Sequence, residues 1–121
     1  MQKIIGFDIG GTKCAVILGE ETANGFDFLS RIEFKTEGSP ETVIEKLVGL
    51  LHEEMRLHGC TAEDLKSVGI SCGGPLNSKA GMILSPPNLL GWDNVPIVKL
   101  VQDALGEAQF TELLAHGFVV D

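Results

Sequence analysis

Asp8-Ile9-Gly10-Gly11-Thr12-Lys13 is the segment of this 121-residue chain best suited to chemistry. Adjacent glycines permit positive φ and let a backbone come close to a ligand. The amides of Gly10, Gly11 and Thr12 then form a cradle for phosphate oxygens, to which the Thr12 hydroxyl and the Lys13 ammonium add donors. Asp8 closes the preceding apolar run, where a carboxylate holds magnesium through its waters. The spacing is not that of a Walker A loop, GxxxxGK[ST]. Nor is it a dinucleotide fingerprint, since the third glycine and the following helix start are both missing.

A second constellation runs from residue 69 to 92. The apolar run that ends at Gly73-Gly74-Pro75 brings backbone close to whatever lies beyond a sheet, where α/β proteins bind ligands. Gly73 and Gly74 offer backbone groups, and Asn77 and Asn88 offer side-chain amides. Trp92 reads as core. His52 and His58 read as solvated, as do the charge runs Glu20-Glu21 and Glu53-Glu54. Cys14, Cys60 and Cys72 are widely spaced and form no CxxC pair, so neither a zinc site nor a disulfide framework is indicated. They are expected as reduced, buried thiols.

The elements that must position these groups follow from periodicity. Lys3–Asp8 and Lys13–Leu18 are short apolar runs around a Gly-Gly turn, which predicts a hairpin. Gly19–Gly25 is polar and predicts a turn, and Phe26–Phe34 predicts a third strand. Ser39 is placed to cap a helix whose first residue is Pro40, with Glu41 at its positive end. Val43, Ile44, Leu47, Val48, Leu51 and Met55 form one apolar face of that helix. Gly59 supplies a left-handed stop. Thr61–Asp64 suits one further helical turn, and Ser67–Cys72 a buried strand. Ala80–Leu84 suits a short strand or hairpin, and Pro86-Pro87 makes Ser85–Trp92 a loop. Ile97–Leu105 has helical spacing. Residues 107–121 fit no clean pattern: Gln109–His116 suits a helix and Gly117–Val120 a strand. The order predicts one α/β domain with a mixed sheet.

Composition bounds the function. At 12.9 kDa the chain has room for one ordinary domain. Hydrophobic residues at 44% and charged residues at 21% exclude disorder and low complexity. Nine basic against 17 acidic residues give a net charge of −8, an acidic field that repels nucleic acid and anionic membranes. A local phosphate site survives that field, because backbone amides need no net positive charge. No apolar run is long enough for a bilayer, and Asp8 interrupts any signal-peptide core. The expected location is the cytoplasm.

Gly6-Phe7-Asp8-Ile9-Gly10-Gly11-Thr12-Lys13 resembles the first phosphate motif of the sugar-kinase, heat-shock-chaperone and actin superfamily. With Val68–Asn77, Gly81 after it, and Leu84–Trp92, the chain resembles more narrowly the ROK family of sugar kinases and sugar-sensing repressors, over residues 3 to about 106. The resemblance implies a ribonuclease-H-like, actin-like ATPase lobe whose mixed sheet opens with a three-stranded antiparallel meander. Residues 1–121 are then a truncated N-terminal lobe with a divergent tail at 107–121. ATP and magnesium are the implied cofactors, with Asp8, Gly10, Gly11, Thr12 and Lys13 at the phosphates and Asp8 on magnesium through water. A hexose or amino sugar is the implied substrate, with Gly73, Gly74 and Asn88 on its side.

The departures from the family bear on catalysis. Its Asn-Asp pair, which supplies the base, has no match after residue 92; Val119-Val120-Asp121 lies several residues late. The family's zinc-binding Cys/His cluster, Glu and His sugar ligands and second-lobe adenosine motifs are also missing. The expected parent activity is ATP-dependent sugar phosphorylation, with no catalytic residue in this chain and no turnover by it alone. One alternative is the effector domain of a ROK repressor, although Asp8 follows Met1 too closely for a helix-turn-helix. Another is a non-catalytic lobe that pairs with a separate C-terminal half. Partners are therefore ATP, a sugar, and the missing lobe or a second copy; neither nucleic acid nor a membrane is expected.

Overall fold

A computed structural model of the chain describes residues 2–72, 76–77, 82–84 and 91–105. The elements are β1 (Lys3–Ile9), β2 (Lys13–Thr22), β3 (Gly25–Lys35), α1 (Pro40–Leu57), a 3-10 turn (Ala62–Asp64), β4 (Leu65–Cys72), β5 (Leu76–Asn77), β6 (Met82–Ile83) and α2 (Ile97–Leu105). Gly73, Gly74, Asn88 and the tail 107–121 lie outside the described residues.

The main sheet runs β3-β2-β1-β4. β1 pairs antiparallel with β2 and parallel with β4, and β2 pairs antiparallel with β3. The opening meander and the mixed sheet are therefore as expected. Alternation explains which face is covered. Lys3, Ile5, Phe7 and Ile9 of β1 are buried, while Ile4, Gly6 and Asp8 on the other face are half-buried. Cross-strand neighbours Cys14, Val16 and Leu18 extend the buried face on β2. Val68, Ile70 and Cys72 extend it on β4. α1 covers this face with Val43, Ile44, Leu47, Val48, Leu51 and Met55, the stripe its spacing predicts. Each buried Leu, Ile or Phe contributes about 1.5–3 kcal/mol, so this layer holds the fold together.

Helix α1 starts and stops as its sequence dictates. The Thr42 amide donates to Ser39 Oγ at 3.2 Å, and Pro40 takes the first turn, where its missing donor costs nothing. Past the C-terminus Gly59 adopts φ +62° and Cys60 N–H donates to the Met55 carbonyl at 2.8 Å. Leu76–Asn77 and Met82–Ile83 pair as a short hairpin, and Ile83 bridges to Val95. Trp92 is 2% exposed, in the core as expected. All three cysteines are buried and none is in a disulfide. No helix among the described residues is long and apolar enough to cross a membrane.

Three expectations are corrected. Gly19–Gly25 is not a turn: β2 continues to Thr22, past a bulge at Leu18/Gly19, and Glu20 and Glu21 pair with Asp27 and Phe26. A polar strand end keeps its backbone ladder, which side-chain hydropathy does not report. Nor is Glu20 simply solvated. Lys3 Nζ donates to its carboxylate at 2.9 Å, which holds Glu20 below the usual carboxylate range and pushes Lys3 up. Glu54 is 8% exposed, turned to the inner edge of α1 with His58 Nε2 at 3.9 Å. The aliphatic stem of a glutamate lets the residue lie against the packed side of a helix.

Candidate functional site

The site begins with the tip of the β1–β2 hairpin. Ile9 and Cys14 form the last pair of the ladder. Beyond it the Gly10 amide donates to the Lys13 carbonyl at 3.2 Å and closes the turn. The turn is also pinned to the end of β3. Thr36 Oγ1 donates to the Gly10 carbonyl at 2.8 Å, and the Thr36 amide donates to the Thr12 carbonyl at 2.9 Å. A Cβ on Gly10 would stand 2.8 Å from the Lys13 carbonyl oxygen, a contact no side chain tolerates. Gly10 is thus required by close backbone approach. Among the described residues the glycines at positive φ are Gly25, Gly38, Gly59 and Gly91, so positive φ is not the reason.

Closing the turn removes the Gly10 amide from the donor set that the sequence suggests. The amides of Gly11 and Thr12 receive no hydrogen-bond acceptor among the described residues, and both residues are exposed, as is Lys13. Two backbone amides and one hydroxyl at the exposed tip, with the exposed Lys13 beside them, make a donor set that suits an anion of several oxygens.

Asp8 stands one residue inside the strand end, on the face opposite α1. The ladder places it beside Ala15, and Ala15 beside Glu33. Arg31 reaches across this row, with Nη2 at 3.4 Å from Asp8 Oδ2 and 3.3 Å from Glu33 Oε2. Lys13 Nζ lies 3.6 Å from the same Glu33 oxygen. Asp8, Arg31, Glu33 and Lys13 thus form a charge chain under the turn, with two cations against two carboxylates. Sequence reasoning missed Arg31, Glu33 and Thr36. The alternation of Arg31, Glu33 and Lys35 with Ile32 and Phe34 was the available signal, since it puts those charges on one face of β3.

Beneath the turn, on the core side, Cys14 and Cys72 flank Ile9 from the two neighbouring strands. Cys14 Sγ lies 3.1 Å from Thr36 Oγ1. Burial, followed by the neighbouring Cys14 and Asp8, pushes the Cys72 thiol up to about 11, so it is neutral and unreactive at ordinary pH. No group of three or more His, Cys, Asp or Glu side chains suited to a metal occurs among the described residues. A cation here would rest on the Asp8 carboxylate alone, with water and a ligand's own oxygens completing its shell. That suits magnesium, which keeps several waters and shares the phosphates of its nucleotide. Ser71 of β4 pairs with Asp8 on its other side and is exposed. Trp92, buried, presents no platform to a ligand.

This sheet order, with its parallel crossover and the Gly-Gly hairpin beside an acidic strand end, is that of a ribonuclease-H-like, actin-like lobe. The ROK family model matches residues 4–112, and the chain belongs to that family. It is similar to a ROK hexokinase from Thermus thermophilus, at 25% identity and TM-score 0.71, over 98% of this chain and 34% of the other. An inorganic polyphosphate/ATP-glucomannokinase from Arthrobacter sp. strain KM matches at 22% identity and TM-score 0.70, over 99% of this chain and 44% of that one. A ROK family transcriptional regulator, homologous to the E. coli MLC protein, matches at 17% identity and TM-score 0.70, over 98% and 27%. The chain thus spans less than half the length of each. No curated protein matches it.

Proposed function

We propose that this chain is the phosphate-gripping N-terminal part of an ATP-dependent kinase for a hexose or amino sugar. The observation that carries this reading is the hairpin tip, where Gly11, Thr12 and Lys13 are exposed and the Gly11 and Thr12 amides have no acceptor among the described residues. Those donors bind the phosphate tail, and Gly10 shapes the turn that presents them. Asp8 orients the waters of magnesium, which when bound neutralises phosphate charge during transfer. Gly73, Gly74 and Asn88 remain the candidates for the sugar side, by the family resemblance. A cytoplasmic location, where ATP is supplied, is the expectation that goes with this reading.

The regulator's likeness supports a second reading, an effector domain that senses a sugar. Such a domain has no use for a nucleotide tail, and ATP binding separates the two. In isothermal titration calorimetry the chain binds ATP more tightly with magnesium than without, and D8N abolishes the difference. K13A removes a charge-assisted contact of about 1.5–3 kcal/mol and weakens ATP binding roughly 10- to 100-fold. Absence of ATP binding, with sugar binding retained, would establish the effector reading instead.

A further inference from the structure

The guanidinium of Arg31 lies 3.4 Å from Asp8 Oδ2, reaching it from the neighbouring Gly6–Ile17 row of the ladder. A hydrated cation and a guanidinium hold a carboxylate by the same means, N–H or O–H groups donated to its lone pairs. They therefore compete at Oδ2, the oxygen that Arg31 contacts. We propose that Arg31 is a built-in counter-ion at Asp8, which holds the carboxylate while no metal is present and yields it when metal arrives with nucleotide. This rests on the nucleotide reading above.

Three features make the exchange easy. The contact is single and its partners are 46% and 45% exposed, so solvent screens it and little is lost when it opens. Glu33 already receives the same Arg31 nitrogen at 3.3 Å, so the cation keeps a partner after it leaves Asp8. The residue between Asp8 and Glu33 in the ladder is Ala15, whose methyl group leaves the row open for the side chain to bridge. Arg31 is thus a positioning residue. It sets how much metal the site requires, and Glu33 sets how readily Arg31 lets go.

The test measures Mn2+ binding to the 121-residue chain in the presence of ATP, by the loss of the free-ion electron paramagnetic resonance signal. R31Q removes the competitor and lowers the half-saturating Mn2+ about two- to fivefold, the range of an exposed ion pair. E33Q removes the alternative partner and moves half-saturation the other way. R31K, which keeps the charge, stays closer to the parent than R31Q does. Half-saturation unchanged or raised in R31Q overturns the proposal, including the case in which only the urea midpoint moves. If the parent chain binds neither ATP nor Mn2+ with ATP, the nucleotide reading itself fails and this inference falls with it. If the parent binds both and R31Q matches it, only the role of Arg31 falls.

Discussion

Gly10 shows how one position can be dictated by a neighbour's oxygen. Its amide closes the turn on Lys13 and its carbonyl is held by Thr36. Any Cβ there meets the Lys13 carbonyl at 2.8 Å. G10A must therefore open the Gly10–Lys13 hydrogen bond or shift the strand end. The expected cost is about 1–3 kcal/mol, seen as a lower urea midpoint, with a parallel loss of ATP affinity as the Gly11 and Thr12 amides move. A midpoint equal to that of the parent would show the turn to be slack. The two glycines do separate work: Gly10 fits a closed turn, and Gly11 stands exposed at its tip.

At the level of elements, β1 carries both layers of the design. Its inner residues build the core with α1, and its outer residue Asp8 faces the charge chain. Cys72, beside Ile9 on β4, ties the site to the core and gives it a pH signature. Its thiol sits near 9.0 in an unfolded chain and is pushed up to about 11 here. Between those values the unfolded state loses a proton that the folded state keeps, so stability falls as pH rises. Burial pushes Cys60 the same way, and the lifted Lys3 also loses its stabilising charge at high pH. Urea midpoints are expected to hold from about pH 6 to 8 and to fall as pH passes 9 toward 11. C72A flattens that fall, and an unchanged slope in C72A would exclude the thiol as its source.

On the molecular scale the proposed kinase reading makes this chain one side of a two-sided problem. It spans 34% of the length of the Thermus hexokinase that it resembles. Phosphoryl transfer needs a base, a phosphate cradle and alignment of both substrates, and alignment supplies much of the rate. We expect phosphate binding by this chain and no sugar-dependent ADP release, measured by a coupled assay. Turnover by the purified chain would place a base within it. At the far end of the β2–β3 hairpin, Phe26 and Phe28 stack edge to face while 55% and 71% exposed. These exposed rings lie on the outermost strand of the sheet, and such an apolar edge favours association with another chain.

Local chemistry determines much of this protein. Ser39-Pro40 and Gly59 bounded α1, hydrophobic spacing chose its inner face, and Asp8 to Lys13 marked the hairpin, because each signal acts between residues near in sequence. Arg31, Glu33 and Thr36 escaped notice, since their partners Asp8, Lys13 and Gly10 lie on other strands and only the ladder register brings them together. The same register turned Glu20 toward Lys3, and helix packing turned Glu54 inward. Pairing distances across strands depend on bulges and turn lengths, which hydropathy does not encode. Which donors the turn keeps for itself and which it offers outward was therefore decided by the tertiary structure.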